Sequence, residues 1–426
     1  MRRENGINPD MVLREAHKVS RVSNVLLSWL LPVVLLPAGC GDGGGDGGGF
    51  GGGDGAGGTL GGAGTTSILY VANNGSDNVS GYSINATSGT LAAIPGSPFS
   101  NVSGPSAMAV SSNGFFAYVT NSRTNNVTAF RVSTEGALLL VPPTPANPNP
   151  VAVDAAPSTL AISPDIKHLY VANHGNDTVA AFNIEAAGAL TLIPPTAGNT
   201  NPVAVNGADP ASMAIPQSGK FLYVANSGSN DVTAFSIGAT GLLSRIAPSG
   251  GNANPVSTGG SAPKGAAISP NGSFLYVANS GSDNLTVFQV GANGLLTLVP
   301  PTGSNINPVP AGGTTPNALM ISLDGRFLYV ANGGGNVSTF TIGGDGLLTL
   351  VPSSAGNLNP VSAGTTPVAL TISQDGRFLY VANQGGRISA YTINTETGAL
   401  APLTALAGNP FPTGTTPSAI ATPGRP

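Results

Sequence analysis

Residues 274–279 read Phe-Leu-Tyr-Val-Ala-Asn, and close copies of this hexapeptide recur along the chain at intervals of about 50 residues. The tyrosine of each copy, followed by Val-Ala-Asn or once by Val-Thr-Asn, stands at positions 70, 118, 170, 223, 276, 329 and 380. A period of this length, built from short alternating runs, is typical of a propeller blade of four antiparallel strands. The repeats therefore predict an all-β fold, a seven-bladed β-propeller.

The repeat around the quoted hexapeptide shows the strands expected in one blade. Counted from the propeller axis outward, strands a, b, c and d correspond to residues 263–269, 274–279, 285–290 and 295–300. Asn-Gly at 271–272 favours a tight hairpin between strands a and b, and the polar run 279–284 favours a turn between b and c. The blade thus has its turns where a four-stranded meander needs them.

The two ends of the repeat region predict how the ring closes. The repeat region starts with a strand b at Leu69–Asn73 and ends with a strand a at Ser418–Thr422. We therefore expect the C-terminal strand to complete the first blade. Burying its apolar side chains contributes on the order of 5 kcal/mol, which is comparable with the net stability of a whole domain.

The N-terminal residues have the pattern of an export signal. Basic residues precede an apolar run from Val25 to Leu36, which is too short to span a bilayer comfortably. We interpret residues 1–39 as a signal peptide, with either Met1 or Met11 as the start. Residues 40–66 are predicted to be a flexible glycine-rich tether and residues 67–426 the propeller.

Cys40 is the only cysteine in the chain and follows Ala38-Gly39, which resembles the lipobox of bacterial lipoproteins. The resemblance departs at Pro37, where that family usually has Leu. It implies a lipidated Cys40 that anchors the protein to a membrane. Gly41 after the cysteine favours the outer membrane, so the expected location is the cell envelope. The alternative is an ordinary signal peptide and a chance cysteine.

The composition excludes one class of partner. Charged residues are 8% of the chain and the formal net charge is −4, whereas charged residues are about 25% of an ordinary soluble domain. Because Lys and Arg side chains are too few to neutralise a phosphate backbone, no nucleic-acid partner is predicted. We expect a monomer that presents a protein-binding or small-ligand-binding surface.

Candidate site residues follow from the loops in which they lie. Propeller ligands usually bind on the face that carries the b–c and d–a loops, here called the upper face, at the mouth of the central channel. His174 lies in a b–c loop, and Asp177 beside it is the candidate partner in catalysis. Lys264 follows the proline that opens a strand a, and Arg123 and Arg387 are candidates for binding an anion. His174 is alternatively an exposed turn residue.

Other ionisable residues are better explained by packing or solvation. His168 stands in the column of Phe221, Phe274, Phe327 and Phe378, which predicts a packed strand residue. Asp77, Asp177 and Asp283 lie in equivalent b–c loops of separate blades. Calcium requires about six to eight converging oxygens, so no metal site and no cofactor is predicted.

The d–a loops are about a dozen residues long and carry a recurring Asn-Pro-Val, as at 149–151 and 254–256. They either form a raised rim for a partner or are decoration of the repeat.

The Tyr-Val-Ala-Asn repeats, with Asp/Asn-Gly-Arg/Ser-Phe-Leu-Tyr before them, resemble the seven-bladed lactonase family over residues 67–424. That family includes 6-phosphogluconolactonase, carboxymuconate-cyclising enzymes and envelope proteins of no assigned activity. The resemblance implies a cluster of His, Glu and Arg at the channel mouth, but no Glu of this chain lies on the upper face. We therefore expect a lipid-anchored binding or scaffold module. The alternative is a lactone hydrolase at the channel mouth, and a purely structural envelope component has the same pattern.

Overall fold

The computed structural model describes residues 67–303, 305–353, 358–403 and 409–424. They form seven antiparallel sheets, one per predicted blade. The predicted signal peptide, Cys40 and the glycine-rich tether lie outside the described residues. Among the described residues, no helix is long and apolar enough to cross a membrane.

The strands are numbered in chain order and grouped by blade. Blade 1 consists of β1 (Ser67–Asn73), β2 (Asn78–Ile84), β3 (Leu91–Ala93) and the C-terminal β34 (Pro417–Ala421). Blade 2 consists of β4 (Pro105–Val110), β5 (Phe116–Asn121), β6 (Asn126–Val132), β7 (Leu138–Leu140) and β8 (Val151–Ala152). Blade 3 consists of β9 (Pro157–Ile162), β10 (His168–Asn173), β11 (Thr178–Ile184), β12 (Leu190–Leu192) and β13 (Val203–Ala204). Blade 4 consists of β14 (Pro210–Ala214), β15 (Phe221–Asn226), β16 (Asp231–Ile237), β17 (Leu243–Arg245) and β18 (Val256–Ser257).

The remaining blades follow the same plan. Blade 5 consists of β19 (Pro263–Ile268), β20 (Phe274–Asn279), β21 (Asn284–Val290), β22 (Leu296–Leu298) and β23 (Val309–Pro310). Blade 6 consists of β24 (Pro316–Ile321), β25 (Phe327–Asn332), β26 (Asn336–Ile342), β27 (Leu348–Leu350) and β28 (Val361–Ser362). Blade 7 consists of β29 (Pro367–Ile372), β30 (Phe378–Asn383), β31 (Arg387–Ile393), β32 (Leu400–Pro402) and β33 (Phe411–Pro412).

The ring closes through the C-terminal strand, as the sequence predicts. β34 pairs antiparallel with β1, so that Tyr70 lies opposite Ala421 and Val71 opposite Ile420. Each innermost strand contacts the innermost strands of the two neighbouring blades, and β34 lies between β29 and β4. The all-β, seven-bladed fold and its closure are confirmed.

The hydrophobic core is divided among the blade interfaces. Seven apolar clusters occupy the seven gaps between neighbouring sheets. The tyrosines of the repeated hexapeptide are fully buried in these gaps. Each sheet is therefore apolar on both faces, which is why the second strands are continuous hydrophobic runs rather than alternating ones.

A repeated contact joins neighbouring blades near the lower face, which carries the a–b and c–d turns. The Tyr276 hydroxyl donates a hydrogen bond to the carbonyl of Gly346 at 3.1 Å, and Tyr223 does the same to Gly294 at 3.0 Å. Gly294 and Gly346 have positive φ, and a Cβ at Gly346 would lie 2.4 Å from the Phe274 ring. The turn thus requires glycine for its backbone conformation and for the close approach of an aromatic ring.

The d–a loops contribute to the sheets. In six blades, two residues of the loop form a short fifth strand that pairs with strand c, beginning at the valine or equivalent residue after Asn-Pro. In blade 4 the Asn254 side chain accepts a hydrogen bond from the Ala234 amide and donates to the carbonyls of Ala234 and Ile246. The loop therefore satisfies backbone groups at the end of the outer strands. Four strands per blade were expected, and the fifth strand is an addition that the sequence analysis missed.

Candidate functional site

The upper face is built from repeated positions that connect one blade to the next. In five blades an Asp or Asn just before strand c accepts a hydrogen bond from the backbone amide of the residue before the next blade's strand a. The bonds join Asp77 to Gly104, Asn125 to Ala156, Asp177 to Asp209, Asn230 to Ala262, and Asp283 to Thr315, at 2.6–2.9 Å. These side chains hold the loops that surround the channel mouth.

A cavity of about 590 Å³ opens on this face and is lined by residues of blades 3 to 7. Its ionisable side chains are His174, Asp209 and Lys264, from three consecutive blades. Hydroxyl and amide side chains line the rest of its polar wall: Ser158, Ser227, Thr315, Asn317, Thr366 and Gln384. The volume lies within the range of small-molecule sites, ~300–1,000 Å³.

His174 and Asp209 form the closest ionisable pair in the cavity. His174 Nδ1 lies 3.4 Å from Asp209 Oδ1, and the two side chains are 51% and 47% exposed. Both backbones are fixed, since the His174 amide donates to the Ala156 carbonyl and the Asp209 amide donates to Asp177. Asp209 has a φ of 57°, which Asp tolerates better than most residues. The imidazole and the carboxylate therefore meet across the boundary between blades 3 and 4.

Lys264 is the second residue of β19, and its side chain is exposed. The equivalent Ser158 and Asn317 donate hydrogen bonds to the Pro210 and Pro367 carbonyls of the next blade, at 2.5 and 2.9 Å. Lys264 forms no ion pair with any carboxylate of the described residues. Its ammonium is therefore available to a ligand in the cavity.

The structure brings together two of the residues singled out from the sequence and separates the other three. His174 and Lys264 line one cavity. Asp177 holds the Asp209 amide instead of pairing with His174. Arg123 forms an ion pair with Asp77 and donates to the Asn74 carbonyl. Arg387 is exposed and donates to the Pro410 carbonyl at 3.2 Å. Ligand contact by any of these residues stays a prediction.

Asp209 is the partner of His174 that sequence reasoning missed. It stands directly before the proline of strand a, where the other blades have Gly, Ala or Thr. As the one acid in that column, it was detectable by comparing repeat positions. Its proximity to His174 was not, because 35 residues separate the two and the spacing of adjacent blades had to bring them together.

The arrangement can support acid–base chemistry. A neutral imidazole whose Nδ1 faces a carboxylate presents Nε2 as a base, and the carboxylate stabilises the imidazolium that forms. The ammonium of Lys264, which lines the same cavity, favours negative charge that develops there. Among the described residues, no group of three or more His, Cys, Asp or Glu side chains is arranged to hold a metal ion.

Similarity to known proteins agrees with this fold. The family model described as "Lactonase, 7-bladed beta-propeller" matches residues 62–257, 196–310, 254–361 and 300–413 in overlapping segments. A 6-phosphogluconolactonase of Formosa agariphila is 29% identical over 265 residues, which cover 57% of this chain and 69% of that protein. A 6-phosphogluconolactonase of Pectobacterium carotovorum is 24% identical over 335 residues, covering 67% of this chain and 93% of that protein.

A solved structure shows the same fold. The periplasmic gluconolactonase of Pseudomonas aeruginosa superposes with a TM-score of 0.64 at 21% identity, covering 84% of this chain and 98% of that one. With the family match extending over most of the propeller, the chain belongs to the lactonase family of seven-bladed β-propellers.

Proposed function

We propose that the protein hydrolyses a lactone at the upper mouth of its central channel. The observation that carries this proposal is the pairing of His174 with Asp209 in a polar cavity that Lys264 also lines. The names of the relatives, 6-phosphogluconolactonase and gluconolactonase, support it over the binding module that the sequence analysis favoured.

The reaction adds water across the ester bond of the ring. His174 Nε2 would take a proton from a water molecule while the oxygen of that water forms a bond to the lactone carbonyl carbon. Asp209 would hold the imidazole and stabilise the resulting imidazolium, while the Lys264 ammonium would stabilise the oxyanion. The ring C–O bond then breaks, and the imidazolium returns its proton to the leaving alkoxide. The product is a hydroxy acid, and the base is regenerated.

The test is hydrolysis of a panel of lactones by the purified propeller, with the uncatalysed rate subtracted. His174→Ala removes the base and should lower kcat about 10²- to 10⁴-fold. Asp209→Asn keeps the shape of the side chain but loses the charge, and should lower kcat by a smaller factor.

His168→Phe is the matched control, since His168 packs near the lower face and lies outside the cavity. Its turnover should equal that of the wild type. A wild type that hydrolyses no lactone would make the binding module the better explanation, whereas a fully active His174→Ala variant would exclude His174 as the base.

We also propose that the propeller is tethered to the cell envelope through a lipidated Cys40, on the sequence pattern alone. Cells expressing the full chain should incorporate radiolabelled palmitate into the wild type, and Cys40→Ser should abolish the label. An unlabelled wild type would exclude the anchor.

A further inference from the structure

The side chains around the cavity carry almost no net charge. Among the described residues that line it, Lys264 is the only cation and Asp209 the only carboxylate. These two formal charges cancel. A ligand entering this cavity therefore leaves water without a compensating excess of charge of either sign.

Arg123 and Arg387, the two arginines that the sequence places on the upper face, lie outside the cavity lining. Arg123 is engaged by the Asp77 carboxylate, and Arg387 donates to a backbone carbonyl. The described residues form strands and turns, so they offer no helix N-terminus, which is another common phosphate-binding device.

A phosphate monoester carries a charge of about −1.5 to −2 near pH 7 and is usually held by bidentate Arg or several cations. One lysine in a cavity that also contains a carboxylate does not match that charge. Hydroxyl and amide side chains each offer both donors and acceptors, and they are six of the nine polar side chains that line this cavity. Such groups match the hydroxyls of a sugar ring.

We propose that the cavity selects an uncharged polyhydroxylated lactone over the phosphate ester of the same lactone. This selectivity rests on the proposed hydrolysis and specifies its substrate class. It also separates this chain from relatives whose names specify a phosphorylated substrate.

Val368 offers a way to change the charge of the cavity without touching His174, Asp209 or Lys264. It is the second residue of β29, the position that Lys264 occupies in β19, and it lines the same cavity. Val368→Lys adds a second ammonium at the strand position where blade 5 already carries one. Val368→Met adds a chain of similar length without charge and is the matched control.

The experiment measures kcat/KM for glucono-1,5-lactone and for its 6-phosphate ester, with uncatalysed hydrolysis subtracted. The wild type should prefer the uncharged lactone by about tenfold or more, and Val368→Lys should shift the ratio about tenfold toward the phosphate ester. Val368→Met should keep the wild-type ratio. The circular dichroism spectrum and melting temperature establish that each variant folds.

The outcomes separate the two proposals. A wild type that prefers the phosphate ester, or a ratio that Val368→Lys does not move, overturns the selectivity and leaves the lactonase intact. If neither lactone is hydrolysed above the uncatalysed rate, both proposals fall.

Discussion

The lower face and the upper channel mouth are built from the same repeats, but the contact residues recur from blade to blade at the lower face and differ between blades at the channel mouth. At the lower face, tyrosine hydroxyls meet glycine carbonyls of the next blade in nearly every interface, and aromatic rings cover the same glycines. At the channel mouth, three repeat positions each carry one ionisable residue in one blade: His174, Asp209 and Lys264.

The difference between the two faces follows from the roles of their residues. A contact that holds neighbouring blades together is needed at every interface, so its residues recur. A ligand at the axis contacts several blades at once with different groups, so its residues depart from the repeat. Departures that line one cavity are therefore functional candidates, and they stand out against the contacts that recur in the other blades.

Deleting residues 414–426 should have the largest effect, because it removes β34 and leaves β1 without its inner neighbour. The loss exposes the apolar contacts of Ile420 and Ala421 and opens the ring, at a cost of about 5 kcal/mol or more. We expect low soluble yield and rapid limited proteolysis. A peptide of residues 414–426 added in excess should partly restore protease resistance. A truncated protein with the wild-type melting temperature would contradict closure by this strand.

The sequence determined the fold more fully than the site, and the reason is physical. Strand pairing and blade packing depend on local patterns such as Phe-Leu-Tyr-Val-Ala-Asn, and these patterns recur in the sequence at regular intervals. The fifth strand could not be predicted, because two residues are too few to show an alternation of apolar and polar side chains. The sequence favours Asp177 as the partner of His174 because the two are close in sequence, whereas blade geometry places Asp209 against His174.

Two glycines with nearly the same φ separate the cost of packing from the cost of backbone strain. Gly294 has a φ of 82° and Gly251 a φ of 83°. An added Cβ would lie 2.5 Å from the Phe221 ring at Gly294 but would meet nothing within 4 Å at Gly251. Gly251→Ala should cost about 1 kcal/mol from strain alone. Gly294→Ala should cost about 3 kcal/mol, since overpacking adds to it.

Urea denaturation at one protein concentration measures the free energy of unfolding of both glycine variants. Equal losses would show that the contact with the aromatic ring carries no energy beyond the backbone preference.

His168 is the exception within the aromatic column, and its substitution tests what that exception costs. Its Nδ1 is buried against Gly241 and has no hydrogen-bond partner among the described residues. Burial lowers the pKa of His168 below its ordinary value. Below about pH 6.5 the unfolded chain therefore binds a proton that the folded protein resists, so stability falls as the pH falls through that window.

His168→Phe should raise stability by about 1 kcal/mol at pH 7 and flatten the dependence of melting temperature on pH between 5 and 7. The reciprocal Phe221→His in blade 4 should introduce the dependence that His168→Phe removes. If the wild type and His168→Phe lose stability in parallel as the pH falls, the buried imidazole is not the cause.

The smallest effect comes from two tyrosines that differ by one hydrogen bond. Tyr276 donates to the Gly346 carbonyl at 3.1 Å, whereas the buried Tyr329 hydroxyl has no partner among the described residues. Tyr276→Phe should therefore cost about 1 kcal/mol, because it also leaves a carbonyl unpaired. Tyr329→Phe should be neutral or slightly stabilising, because it removes a buried hydroxyl that is already unsatisfied.

Both rings are fully buried at equivalent positions, so the difference in unfolding free energy isolates the hydrogen bond. Equal losses would mean that Tyr329 also bonds to its neighbouring blade in solution, which would make the interface between blades 6 and 7 equivalent to the others.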